Sequence, residues 1–393
     1  MGLNEVASSE RVHIGFFGMR NAGKSSVVNS VTGQDISIVS DIKGTTTDPV
    51  KKAMELLPLG PVVIIDTPGL DDEGELGRMR VLKAKRVLEK IDIAILIIAA
   101  DKGRSLLDDQ LISEFKEKNI PYILVYNKSD LIDKKQNLES NEIYVSAINN
   151  ENIFELKNMI GRLIKQVDNK KYIIADLIDK GDTVILVTPI DESAPKGRLI
   201  LPQQLVLREI LDFHCVAVVC QHQELKNVLS TLSSKPRMVI TDSQVFKIVN
   251  KDVPNDIPLT SFSILFARYK GFLNILINGA KAISNLKTGD KVLISEGCTH
   301  HRQCNDIGTV QFPKMIEKYT GFKLIYEFSS GQRFPSELSD YKLIIHCGGC
   351  MINEKEMAFR ISKSKEYGVP IVNYGIAIAY MSGILERSVA LLK

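Results

Sequence analysis

Gly18-Met19-Arg20-Asn21-Ala22-Gly23-Lys24-Ser25 follows the apolar run His13 to Gly18 and precedes the helix-compatible stretch Ser26 to Val31. This is the phosphate-binding pattern G-x-x-x-x-G-K-S in a strand-loop-helix setting. Its glycines let backbone N–H groups curl around phosphate oxygens, so Gly18, Asn21, Ala22, Gly23, Ser25 and Ser26 are nucleotide-contact candidates. Lys24 meets the β- and γ-phosphate charge, and the Ser25 hydroxyl is a candidate Mg²⁺ ligand. Asp66-Thr67-Pro68-Gly69 closes the run Val62 to Asp66. Asp66 offers a carboxylate to the Mg²⁺ shell, and Gly69 offers an N–H to the γ-phosphate. Gly44-Thr45-Thr46-Thr47-Asp48 supplies a Thr hydroxyl to the same metal, for which Thr46 is chosen. Lys24, Thr46 and Gly69 are the expected catalytic groups.

Asn127-Lys128-Ser129-Asp130 ends another apolar run and decides the base. A carboxylate at Asp130 accepts from both N1–H and the 2-amino group of guanine, whereas adenine presents no such donor pair. The expected nucleotides are therefore GTP and GDP, with Ser146-Ala147 in the loop that buttresses the base. The residue after Gly69 is Leu70, where many GTPases place a Gln that orients the attacking water. Leu cannot hydrogen-bond water, so intrinsic hydrolysis is expected to be slow, as suits a switch or timer.

The chain has 393 residues, which predicts two to three domains. Fifty basic and 47 acidic residues leave a net charge of only +3, and 44% of residues are apolar. That balance argues for an ordinary globular protein and against a whole-chain nucleic-acid or membrane-surface binder. The longest candidate membrane run, Ile91 to Ala100, contains Asp92 and is strand-sized. MGLNEVASSE has no apolar segment of the secretory kind, so a cytoplasmic location is expected.

Apolar runs at His13 to Gly18, Val62 to Asp66, Ile93 to Ala100, Tyr122 to Asn127 and Ile143 to Ser146 alternate with helix-length stretches. They predict a mostly parallel α/β sheet in residues 1–171, closed by a charged linker at Lys165 to Lys171. A second α/β piece, 172–269, has strand-like runs at Thr183 to Thr188, Cys215 to Cys220, Met238 to Thr241 and Ser263 to Ala267. A third, 270–393, has them at Lys291 to Ser295, Lys342 to His346 and Pro370 to Asn373. Gly181-Asp182-Thr183-Val184-Ile185-Leu186 and Gly289-Asp290-Lys291-Val292-Leu293-Ile294 share a G-D-x-V-apolar-apolar start, which chance explains at least as well as a faint duplication.

Six cysteines are too few for a disulfide framework. Cys298-Thr299-His300 and His346-Cys347-Gly348-Gly349-Cys350 each follow a predicted strand of the third piece. Strand ends in one sheet can bring them together although 48 residues separate Cys298 from Cys347. Three thiols and two imidazoles then share a face. Closed tetrahedral zinc and an iron-sulfur cube with one iron left open are both compatible with this set, and His301 and Cys304 add candidates for the fourth ligand. Cys215 and Cys220 lie on an apolar run and read as core residues, and His13, His214 and His222 read as structural.

The nucleotide motifs make the first 170 or so residues resemble the translation-factor-related class of small GTPases. A GTPase followed by C-x-H, 45 intervening residues and H-C-x-x-C resembles the HydF family of [FeFe]-hydrogenase maturation GTPases over nearly the whole chain. The resemblance implies a [4Fe-4S] cluster on Cys298, Cys347 and Cys350, with a labile fourth site open to His300 or His346. It implies a scaffold or carrier of a di-iron precursor, working between two radical-SAM maturases and apo-[FeFe]-hydrogenase, and a middle domain that forms a homodimer. Relatives lacking the Gln recruit K⁺ through an Asn at the position of Asn21; an Asn that only stabilises the loop is the alternative. Two rival readings are a GTPase of RNA modification or ribosome assembly with a structural zinc, and a dithiol redox enzyme. The apolar, almost uncharged stretch Leu343 to Met351 disfavours an RNA-binding surface, and the redox reading leaves the GTPase motifs unused.

Overall fold

The computed structural model describes residues 8–33, 50–56, 59–70, 81, 83–133, 137–167, 171–189, 199–297, 307–331, 334–350 and 352–392. The chain forms two compact units, Met1–Asn169 and Lys170–Lys393.

The first unit is built on β1 (Val12–Gly18), β2 (Val50–Leu56), β3 (Gly60–Asp66), β4 (Ile93–Ala99), β5 (Tyr122–Asn127) and β6 (Glu142–Tyr144), in the order β2-β3-β1-β4-β5-β6. β3, β1, β4, β5 and β6 run parallel, and β2 joins the edge antiparallel. Every residue of β4 is buried, as a central strand covered on both faces requires. Its alternate residues serve two cores: Ile93, Ile95 and Ile97 face one, and Ala94, Leu96 and Ile98 the other. This parallel α/β architecture is the expected one. The Lys165 to Lys171 linker is shorter than expected, because the helix Ile153–Val167 continues through its first residues.

The second unit holds two four-stranded parallel sheets. The first contains β7 (Thr183–Val187), β8 (Val216–Cys220), β9 (Met238–Thr241) and β10 (Leu259–Ser261), in the order β10-β9-β7-β8. The second contains β11 (Lys291–Glu296), β12 (Ile325–Ser330), β13 (Tyr341–His346) and β14 (Ile371–Asn373), in the order β12-β11-β13-β14. Buried residues of both, including Ile185, Val239, Val292 and Ile344, belong to one hydrophobic cluster. The apolar run Ser263 to Ala267 is part of a helix, Phe262–Tyr269, not a strand. Ser261 Oγ accepts from Ile264 N at 3.3 Å and starts the helix, and an apolar run of that length does not by itself distinguish the two states.

The duplication is visible in three dimensions. Each sheet places its first strand between its second and third, with its fourth strand on the far side of the third. Both G-D turns are built alike: Asp182 accepts from Asp179 N at 2.9 Å, and Asp290 from Lys287 N at 2.7 Å. Ser261 and Asn373 cap the helices that follow β10 and β14.

Candidate functional site

The phosphate loop leaves β1 and enters the helix Lys24–Thr32 at Gly23, whose φ is 84°. A side chain at Gly23 is excluded twice: by this left-handed backbone, and because a Cβ there would lie 2.2 Å from Asn127 Nδ2. Asn127 ties the two loops together. Its Nδ2 donates to Ala22 O at 3.0 Å and its Oδ1 accepts from Ala147 N at 3.2 Å. Lys24 is buried, and its ammonium pairs with the Asp66 carboxylate, so the phosphate-side cation and the metal-side acid meet at one point. Ser25, Ser26 and Asn21 are exposed at the loop and the first helical turn, and Asn21 takes a left-handed φ of 66°.

Gly69 packs against Arg20, and a Cβ on it would lie 3.2 Å from Arg20 Cα. Leu70 N donates to Gly18 O at 3.1 Å, and Arg20 N donates to Leu70 O at 3.0 Å, lacing the D-x-x-G segment to the phosphate loop. The Leu70 side chain is buried in the core with Phe17 and Ile65. On the base side, Asp130 is exposed and one of its oxygens accepts from Ser146 Oγ at 2.6 Å. Ser146 is wholly buried, so its hydroxyl fixes the carboxylate against the loop. Lys128 adopts φ 65°, which turns the chain sharply between Asn127 and Asp130. Thr46 lies outside the described residues.

In the second unit, β11 and β13 are neighbours, with Ser295 opposite His346. Their ends bring Gly297 and Cys347 together: Gly297 N donates to Cys347 Sγ at 3.0 Å, and Cys347 N donates to Ser295 O at 3.0 Å. Burial pushes the Cys347 thiol above its ordinary pKa, against the pull of the Gly297 and Gly349 N–H groups. Gly349 turns the loop with φ 65°. Cys347 and Cys350 are both partly exposed. Cys298, His300, His301 and Cys304 lie outside the described residues, and among the described ones no three metal-ligating side chains converge. The donor set nevertheless suits a sulfur-ligated group, since the residue before Cys298 already touches the Cys347 sulfur.

His346, named as a candidate ligand, has both ring nitrogens engaged. Arg360 Nη1 lies 2.9 Å from Nε2 and can only donate, so Nε2 accepts and the proton sits on Nδ1, which donates to Cys347 O at 2.7 Å. Sequence reasoning missed Arg360. It is 1% exposed, and it also reaches Ser295 Oγ at 3.3 Å, Glu356 Oε1 at 2.7 Å and Gly331 O at 2.8 Å. Its helical i,i+4 spacing from Glu356 was the only signal, and many exposed pairs share it. Burial and the Arg360 charge lower the His346 pKa to about 3. The unfolded chain protonates near the ordinary 6.5, so His346 contributes stability fully above that pH and loses it as pH falls through the window towards 3. The expected loss is at most about 1.4 kcal/mol per pH unit. Urea midpoints of the second unit at pH 7 and pH 5 check it, and His346→Gln should flatten the dependence.

Three family models match the chain. One described as a 50S ribosome-binding GTPase matches residues 13–128. The hydrogen maturase F dimerization domain matches residues 173–271, and the hydrogen maturase F tetramerization domain residues 274–391. The chain belongs to the hydrogen maturase F family. Its first unit holds a GTPase domain of parallel α/β fold, and its second unit holds the two oligomerization domains. It is 35% identical over 136 residues to GTPase Der of Clostridium perfringens, covering 34% of this chain and 31% of Der. It is 32% identical over 149 residues to the tRNA modification GTPase MnmE of Nitrosomonas europaea, covering 37% of this chain and 33% of MnmE. The chain thus spans about a third of the length of these curated relatives. Era of Aquifex aeolicus bound to GDP.AlF4- aligns over 82% of this chain and 94% of its own, at 18% identity and a TM-score of 0.34. Among the described residues no helix is long and apolar enough to cross a membrane.

Proposed function

We propose that this chain is a GTP-hydrolysing, GTP-switched scaffold that holds a [4Fe-4S] cluster and passes a di-iron precursor to apo-[FeFe]-hydrogenase. Residues 1–171 act as the switch, 172–269 as the homodimerising domain and 270–393 as the cluster domain. In the switch, the backbone of Gly18, Asn21, Ala22, Gly23, Ser25 and Ser26 wraps the phosphates. Lys24 and the Gly69 N–H meet the γ-phosphate, and Ser25, Thr46 and Asp66 serve Mg²⁺. Asn127, Lys128, Asp130, Ser146 and Ala147 read guanine, and Asn21 is the candidate K⁺ ligand. A change of nucleotide moves the Thr46 and Asp66 to Leu70 segments and so alters affinity for the radical-SAM maturases or the hydrogenase.

Cys298, Cys347 and Cys350 hold the cluster. The observation that carries this reading is the 3.0 Å hydrogen bond from Gly297 N to Cys347 Sγ, one residue before Cys298. Because His346 is committed to Arg360 and Cys347 O, the fourth site falls to His300 or an exchangeable ligand. When bound, the cluster supplies an iron with an open coordination position, suited to receiving cargo. The chain's own part is to present sulfur and to donate N–H groups to it.

Anaerobic reconstitution of the full chain with iron and sulfide tests the proposal. The expected result is a brown protein with about four iron per chain, and loss of most of that iron in Cys347→Ser and in Cys298→Ser. A colourless protein that takes up zinc in place of iron would overturn it and favour an RNA-directed GTPase.

A further inference from the structure

Lys270 follows the helix Phe262–Tyr269, at the end of the stretch matched by the dimerization model, and is only 6% exposed. Buried lysines are rare, because the ammonium must recover its hydration through strong acceptors. Here Nζ donates to Gly349 O and, at 2.9 Å, to Ile352 O. Both carbonyls belong to the loop that carries Cys347 and Cys350, within the stretch matched by the tetramerization model. Gly349 O also accepts from Ile352 N at 3.3 Å, so the lysine closes a turn the backbone has begun.

The internal duplication shows that this lysine is a departure. After the helix Phe262–Tyr269 come Lys270 and Gly271, and after the equivalent helix Tyr374–Met381 come Ser382 and Gly383. The two glycines have φ 78° and 72°, and the turns share their bonds: Phe272 N to Ala267 O at 2.9 Å, Ile384 N to Ala379 O at 3.0 Å. One fold element thus carries serine in one repeat and a buried cation in the other, and the cation is the one that reaches the cysteine loop. A centre held by thiolates is anionic, and nearby positive charge favours its more reduced state.

We propose that Lys270 is a positioning residue for the Cys347–Cys350 loop, and that its ammonium also supplies positive charge to the sulfur-ligated group held there. This rests on the cluster reading of that loop. It also couples the dimerization segment physically to the metal-binding segment.

The test compares Lys270→Met and Lys270→Arg in the full chain. In the metal-free protein, Lys270→Met should speed hydrogen exchange of the Ile352 amide by about tenfold or more, the scale of a lost charge-assisted bond. In the iron-reconstituted protein its reduction potential should move negative, with Lys270→Arg restoring both readouts towards wild type. Wild-type exchange at Ile352 in a folded Lys270→Met overturns the positioning role, and an unchanged potential overturns the electrostatic one. Should Lys270→Met fail to fold, Lys270→Gln replaces it, with the same two readouts decisive. If the wild-type chain takes up no iron, the cluster reading fails, while exchange at Ile352 still reports on the clamp.

Discussion

Replacing Lys24 by alanine lowers GTP affinity by about a hundredfold or more and abolishes turnover, while iron uptake by the second unit stays at the wild-type level. The magnitude follows from charge-assisted hydrogen bonds of about 1.5–3 kcal/mol each, made by one ammonium to two phosphate oxygens. The Lys24 side chain is held between the phosphate loop and Asp66, so its reach is set before nucleotide arrives. Removing it also strips a cation from beside the Asp66 carboxylate, which adds repulsion towards the triphosphate. Titration calorimetry with a non-hydrolysable GTP analogue measures the first effect, and iron analysis of the same preparation the second. Unaltered GTP affinity would contradict the assignment of Lys24. Loss of iron would show that the two sites do not load independently.

Arg360→Met destabilises the second unit by about 3–5 kcal/mol, the scale for removing one partner of a buried ion pair. Arg360 is the largest fully buried side chain among the described residues, and its guanidinium joins His346, Ser295, Gly331 and Glu356. Methionine fills much of the volume but donates nothing, leaving the Glu356 carboxylate without its guanidinium and His346 Nε2 without its donor. Urea denaturation gives the loss, and Glu356→Gln in the same background should recover part of it, since the two residues are coupled. A loss below about 1 kcal/mol would mean that the network is not structural. The effect matters for function because the imidazole in that network donates to Cys347 O.

The switch unit was legible in the sequence because its chemistry is local. The phosphate loop, the Asp66 to Gly69 segment and the Asn127 to Asp130 segment each sit at the end of a strongly apolar strand, and β1, β3, β4 and β5 begin or end within a residue or two of the runs that announce them. β2 was not legible: Val50–Leu56 is an edge strand bearing Lys51, Lys52 and Glu55, and its charges hide its alternation. β12 was missed because Ile325, Glu327 and Phe328 are all exposed, so no buried apolar face announces it. The Cys347 loop could be named from its spacing, but its supports could not. Lys270 and Arg360 lie 79 and 14 residues from the groups they hold, and in a sequence each is one of 50 basic residues. Only folding shows which of them are buried. The G-D-x-V repeat shows the reverse: six letters were weak evidence, yet the shared strand order and turn hydrogen bonds make the two sheets counterparts.

The central claim, that Cys298 and Cys347 meet at adjoining strand ends, can be tested without any metal. In the metal-free chain carrying Cys304→Ser and Cys350→Ser, the competing thiols of this region are removed, and mild oxidation followed by peptide mass spectrometry reads the pairing. A disulfide needs Cα atoms roughly 4.4–6.8 Å apart, and Gly297, one residue before Cys298, donates its N–H to Cys347 Sγ at 3.0 Å. The predicted result is a Cys298–Cys347 disulfide as the main product. Recovery of both as free thiols under conditions that oxidise a reference dithiol would contradict it.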